Sequence, residues 1–139
     1  MLLDKLEAAG APWAIVTSGT RPLVTGWLEV MKLAHPQTLV VADDVEKGKP
    51  DPACYLLGRD RLGLATSAPM VVFEDAPAGV MAGKAAGFFV IALATTHTVE
   101  ELQKAGADRI VEDMRSVEFN SLDGGTLKLQ ISHFFKHDN

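Results

Sequence analysis

The 139-residue chain predicts an α/β fold, a Rossmann-like doubly wound parallel sheet, and three observations carry that reading. Short runs that are apolar throughout alternate with stretches of helical period. Glycine or proline stands at most of the junctions. The runs do not alternate with polar residues, as half-solvated strands do, so each is expected to be covered on both faces.

Taken in order, Leu2, Leu3 and Leu6 keep helical spacing, and Gly10 with Pro12 ends that helix before the short strand WAIV, residues 13 to 16. From Arg21 onward Leu23, Val24, Trp27, Leu28 and Met31 predict a second helix, and TLVVA (38 to 42) is the next strand. Pro50 and Pro52 mark a loop, PACYLLGRDRLG is a helix ending near Gly63, and PMVVFE is a strand. APAGVMAGKAAG follows as a helix, FFVIALA as a strand, and Glu100 to Ala105 as a short helix before RIV. Gly79, Gly83 and Gly87 recur every four residues, which puts them on one helix face and lets that helix lie close to the sheet. After Arg115 the pattern changes: SVEFNSLDGGTLKLQISHF alternates around Asp123-Gly124-Gly125, as a terminal hairpin does. The expected organisation is a core over residues 1–115 with a hairpin tail appended over 116–139.

Composition bounds the function. At 47% hydrophobic and 22% charged residues, the chain has the material for one buried core. A formal charge of -5 without a Lys/Arg cluster argues against nucleic acid and against a polybasic membrane patch. The longest apolar run, Ala85 to Ala94, is too short to span a bilayer, so no membrane role is expected. MLLDKLEAAG carries Asp4 and Glu7 and no basic n-region, so it reads as helix and not as a secretory signal. The single cysteine, Cys54, permits no internal disulfide and suits a reducing compartment, which makes the cytoplasm the expected location.

In open parallel sheets ligands bind beyond the carboxyl ends of the strands. The first strand runs out into Thr17-Ser18-Gly19-Thr20, a hydroxyl beside a glycine turn whose N–H groups suit an anion. A plain loop or helix cap is the bland alternative. Lys49 stands between Gly48 and Pro50, where a stiffened loop suits a point charge aimed at phosphate; an ordinary solvated lysine is the alternative. Glu74 and Asp75 end a later strand side by side. Adjacent carboxylates repel unless a cation or solvent intervenes, and hard oxygens suit Mg²⁺. Asp75 before Ala76-Pro77 also suits a helix start, and both roles are compatible.

One hydroxyl, one lysine and one acid pair at successive strand ends resemble the haloacid dehalogenase superfamily of phosphohydrolases. The matching stretches are VTSGT, GKPDP and FEDAPAG, in the family order. The likeness runs from about Trp13 to about Val111, and WAIVTSGTRPLVTGW, GKPDPACYLLGR, VVFEDAPAGVMAGKAAGF and ALATTH look like the fungal glycerol-phosphate and sugar-phosphate phosphatases. The resemblance implies that Thr17 hydrogen-bonds a phosphoryl oxygen with help from backbone at Ser18 and Gly19. It implies that Lys49 neutralises phosphoryl charge, and that Asp75 with Glu74 holds Mg²⁺. The implied partner is a small phosphorylated metabolite.

The resemblance also exposes a difference. The family pattern begins with DxD at the end of an N-terminal strand, its first Asp attacking phosphorus and its second serving as acid and base. No DxD occurs in this sequence: Asp43-Asp44 lack the spacing, and in SLDGGT the attacking position is Ser121. SLDGGT is therefore expected to be a turn. Relatives also carry a helical cap between the DxD strand and the VTSGT strand. The 1–115 core is thus expected to lack the family's first strand and cap, with a sheet gap beside the site that invites self-association. The functional expectation is a Mg-dependent phosphatase core for a small polyol or sugar phosphate such as glycerol phosphate, with a non-catalytic phosphate- and Mg-binding module as the alternative.

Rival chemistries fit less well. In receiver-type signalling domains the acids precede the Thr and Lys, and here they follow. A cysteine phosphatase needs C-x₅-R, and position 60 is Asp. Zinc lacks a third ligand near His133 and His137.

Overall fold

The computed structural model describes residues 2–19, 38–123, 126–132 and 134–135. The predicted helix over Arg21 to Met31 and the histidine pair at 133 and 137 lie outside them.

The alternation of helix and strand forms as expected. Helix α1 (Leu2–Ala9) leads into β1 (Ile15–Val16), which pairs in parallel with β2 (Leu39–Val40). Helix α2 (Ala53–Arg61), β3 (Val71–Glu74), α3 (Pro77–Ala85), β4 (Phe89–Leu93), α4 (Val99–Lys104) and β5 (Arg109–Val111) follow. Strands β3, β4 and β5 are parallel neighbours in one sheet. The tail forms the antiparallel hairpin β6 (Val117–Asp123) and β7 (Thr126–Ile131), and then β8 (Phe134–Phe135), which pairs antiparallel with β5. Asp123 pairs with Thr126 at the end of this hairpin, and Gly124 and Gly125, where the turn of SLDGGT is expected, lie outside the described residues. Among the described residues no helix is long and apolar enough to cross a membrane.

Period-two alternation divides the core. Val72, Val90, Ala92 and Ile110 face one way into a cluster with Tyr55, Val80 and Leu102 of the helices. Ile91 and Val111, joined by Phe73 and Leu93, face the other way and meet Leu2 of α1 with Val117, Leu129 and Ile131 of the hairpin. The tail thus covers the second face of the sheet, and its alternating apolar residues are the covering surface.

Helix α3 lies close to the sheet because of two of its glycines. A Cβ on Gly83 would stand 2.7 Å from Val90 Cγ2, and one on Gly79 would overlap the Glu74 carboxylate. Gly87 corrects the three-glycine expectation. It follows the helix at φ +84°, its N–H donates to Lys84 O (2.9 Å), and Phe88 N–H donates to Gly83 O (3.0 Å). These are the two bonds of a Schellman ending, which a residue with a Cβ reaches only under strain.

Strands β1 and β2 form their own two-stranded sheet, apart from β3 to β5. Ile15 N–H and Thr17 N–H donate to Thr38 O (3.2 Å) and Val40 O (2.9 Å) of β2. Val16, between them, therefore points its N–H and C=O to the open edge. Among the described residues no strand is paired there.

Candidate functional site: a lysine bridge across two strand ends

Lys49 closes the space beyond that open edge. Its Nζ donates to Val16 O (3.3 Å) at the end of β1 and to Glu74 Oε1 at the end of β3. The local sequence fixes the loop that delivers it: Asp51 N–H donates to Gly48 O (3.1 Å), and Asp51 Oδ1 accepts the Ala53 N–H (2.9 Å) in the first turn of α2. The first turn of α2 also carries Tyr55, whose hydroxyl donates to the same Glu74 oxygen, and whose ring centroid lies 5.1 Å from the Lys49 ammonium. Burial, and then the Glu74 charge, push the Tyr55 hydroxyl far above the ordinary tyrosine range, so it stays a proton donor.

Glu74 lies two residues beyond Val72, on the helix-covered face of β3, under Gly79. Only 12% of the Lys49 side chain and 8% of Glu74 are exposed. A buried pair of this kind persists when additional hydrogen bonds satisfy it, and Tyr55 and Val16 O supply them.

The structure therefore brings Lys49 and Glu74 together and sets Thr17 and Asp75 one residue beyond the two Lys49 contacts. Thr17 Oγ1 accepts the Gly19 N–H (3.1 Å), which spends that amide and leaves the Thr17 hydroxyl proton to point elsewhere. Thr17 N–H is committed to the β1–β2 ladder, whereas Ser18 N–H has no partner among the described residues. Asp75 is held from the end of β4. Thr96 Oγ1 lies 3.0 Å from Asp75 Oδ2, and His97 Nδ1 lies 3.1 Å from Asp75 O.

Sequence reasoning missed Tyr55, Thr96 and His97. The tyrosine stands six residues after Lys49 in GKPDPACY, and the other two follow the β4 strand in ALATTH, so their places by strand ends were the available signal.

For a divalent cation, the described residues offer no group of three His, Cys, Asp or Glu side chains. Mg²⁺ needs less, since it commonly takes one or two carboxylates and completes its shell with water and phosphate. Asp75 Oδ1 and Glu74 Oε2 receive no hydrogen bond from the described residues, so the acid pair fits that smaller donor set. Asp44 is committed elsewhere, to the Val41 N–H (2.9 Å) and Arg61 (3.0 Å). Cys54 is buried, and burial raises its thiol pKa, the reverse of what a nucleophilic cysteine needs.

A family model described as haloacid dehalogenase-like hydrolase matches residues 1–93. Glycerol-1-phosphate phosphohydrolase 1 of Saccharomyces cerevisiae is 38% identical over 125 residues, covering 86% of this chain and 50% of the relative. Hexitol phosphatase A of Escherichia coli is 40% identical over 129 residues, covering 93% of this chain and 58% of the relative. The crystal structure of a hydrolase from Pseudomonas syringae superposes with a TM-score of 0.72 at 31% identity, over 80% of this chain and 51% of that one. The chain spans about half the length of these relatives. On the family match, the sequence similarity and the shared parallel sheet, this chain belongs to the haloacid dehalogenase-like hydrolases.

Proposed function

We propose that the chain carries the phosphate-gripping, Mg²⁺-holding part of a phosphatase that acts on a small polyol or sugar phosphate, glycerol phosphate being the leading class. The observation that carries this reading is the Lys49 ammonium lodged between Val16 O and Glu74 at the carboxyl ends of β1 and β3. The two relatives of 38% and 40% identity, named for glycerol phosphate and hexitol phosphate, support the substrate class.

Phosphoryl transfer calls for positioning and for cations against the charge of the equatorial oxygens. Lys49 supplies one fixed positive charge. The Thr17 hydroxyl and the Ser18 N–H donate to phosphoryl oxygens, while the Gly19 N–H keeps the Thr17 hydroxyl turned outward. Mg²⁺, held by Asp75 with Glu74, supplies further charge neutralisation when bound.

No DxD occurs in the 139 residues, so the attacking carboxylate of the family pattern is not among them. This favours a second reading for the chain by itself, a phosphate- and Mg-binding module without turnover. The edge of β1, unpaired among the described residues, supports self-association through the gap, and the lone buried thiol suits the cytoplasm. Hydrolysis of glycerol phosphate and hexitol phosphate with Mg²⁺ tests the reading. The chain alone is expected to release phosphate at or near the background rate, as loss of a covalent nucleophile costs a serine protease about 10⁶ in kcat. Robust turnover that persists in Asp75→Asn would contradict both the missing nucleophile and the metal assignment.

A further inference from the structure

The turn after β4 reaches back to the end of β3 through Thr96 and His97. Thr96 Oγ1 lies 3.0 Å from Asp75 Oδ2, 3.3 Å from Asp75 O and 2.9 Å from His97 Nδ1, and His97 Nδ1 lies 3.1 Å from Asp75 O. One proton assignment accounts for every contact in the set but the longest, the 3.3 Å approach of Thr96 Oγ1 to Asp75 O. A main-chain carbonyl only accepts, so His97 Nδ1 carries its proton and donates to Asp75 O and to the Thr96 oxygen. The single Thr96 hydroxyl proton is then left for Asp75 Oδ2. Both the main chain and the carboxylate of Asp75 are thus held by residues twenty-one and twenty-two positions away.

We propose that Thr96, backed by His97, is a positioning residue that fixes the Asp75 carboxylate for a divalent cation. The inference rests on the reading of Asp75 as a metal ligand and deepens it. By engaging Oδ2, the hydroxyl restricts rotation of the carboxylate and leaves Oδ1 as the oxygen that receives no hydrogen bond from the described residues. Outer partners of this kind orient ligands before the ion arrives, and their loss typically costs ~10–100-fold in metal affinity. Thr96 is exposed and outside the apolar clusters, so its replacement tests orientation and leaves packing alone.

The test is a Mn²⁺ titration of the purified chain, read by water-proton relaxation, on wild type, Asp75→Asn, Thr96→Val and Thr96→Ser. The expected result is loss of binding in Asp75→Asn, weakening of ~10-fold or more in Thr96→Val, and near wild-type affinity in Thr96→Ser, which keeps the hydroxyl. Wild-type affinity in Thr96→Val, with Asp75→Asn still abolishing binding, overturns the positioning role and leaves the metal ligand standing. Equal weakening in Thr96→Ser and Thr96→Val also overturns it, because the methyl and not the hydroxyl would then matter. Binding that survives Asp75→Asn, or no Mn²⁺ bound by wild type, removes the metal reading and the positioning role with it.

Discussion

Two lysine–carboxylate pairs stand at opposite ends of the strands. At the strand starts, Lys84 Nζ donates to Asp108 (2.9 Å), whose carboxylate also takes the Val90 N–H (2.8 Å) and ties β5 to β4 and α3. At the strand ends, Lys49 pairs with Glu74. The first pair is part-exposed, at 37% and 25%, and sews together strands that a backbone ladder already joins. The second is buried, at 12% and 8%, and links two sheets with no ladder between them among the described residues. Beside it lie a hydroxyl proton at Thr17, an amide at Ser18 and the oxygen Oδ1 of Asp75, all without partners among the described residues. A lysine–carboxylate pair is thus a stitch where its surroundings are satisfied, and on the proposed function it becomes part of a binding site where donors and acceptors are left over.

Three substitutions sharpen this contrast. Lys49→Met should cost the most, about 3 kcal/mol, because it strands the Glu74 charge in a buried place with Tyr55 as its one remaining hydrogen-bond donor among the described residues. Urea midpoints on Lys49→Met, Glu74→Gln and the double variant measure the coupling, which should leave the double change less harmful than the sum of the two single changes. Strict additivity would contradict the bridge. Lys84→Met should cost less than about 1 kcal/mol, since the Lys84 side chain is more than one-third exposed and solvent screens the pair.

The smallest effect lies in pH. Burial works to raise the Asp108 pKa, but the Lys84 and Val90 hydrogen bonds and the Lys84 and Arg109 charges outweigh it and hold the carboxyl below its ordinary value. Its stabilising contribution is therefore present above pH ~4 and is lost as pH falls through the lowered folded value. The stability difference between wild type and Lys84→Met should be widest near neutrality and close as pH falls through the lowered folded value of Asp108, which denaturation at stepped pH measures. A difference that grows toward acid would contradict the assignment.

Much of this was legible in the sequence because it is local. The runs WAIV, PMVVFE and FFVIALA had strand length and no polar period, and glycines ended the helices, so the parallel sheet and its strand ends followed. Three features were not legible, each for its own reason. The separate partners of Glu74 and Asp75 come from Tyr55, nineteen positions before Glu74, and from Thr96, twenty-one after Asp75, and spacing along the chain carries no sign of either. Gly87 shares the four-residue spacing of Gly79 and Gly83, yet the helix has already ended there, and only its positive φ separates a cap from a packing face. The hairpin's alternation signalled one buried face without saying what it covers, which is Ile91 and Val111 of the sheet.

Amide chemical shifts of ¹⁵N-labelled chain, followed as inorganic phosphate is added in the presence of Mg²⁺, test the central claim most directly. The account predicts that Thr17, Ser18, Lys49 and Asp75 shift together along one binding curve, and that the curve flattens in Lys49→Met. Shifts confined to one strand end, or a curve unchanged by Lys49→Met, would contradict a single phosphate site across the two sheets.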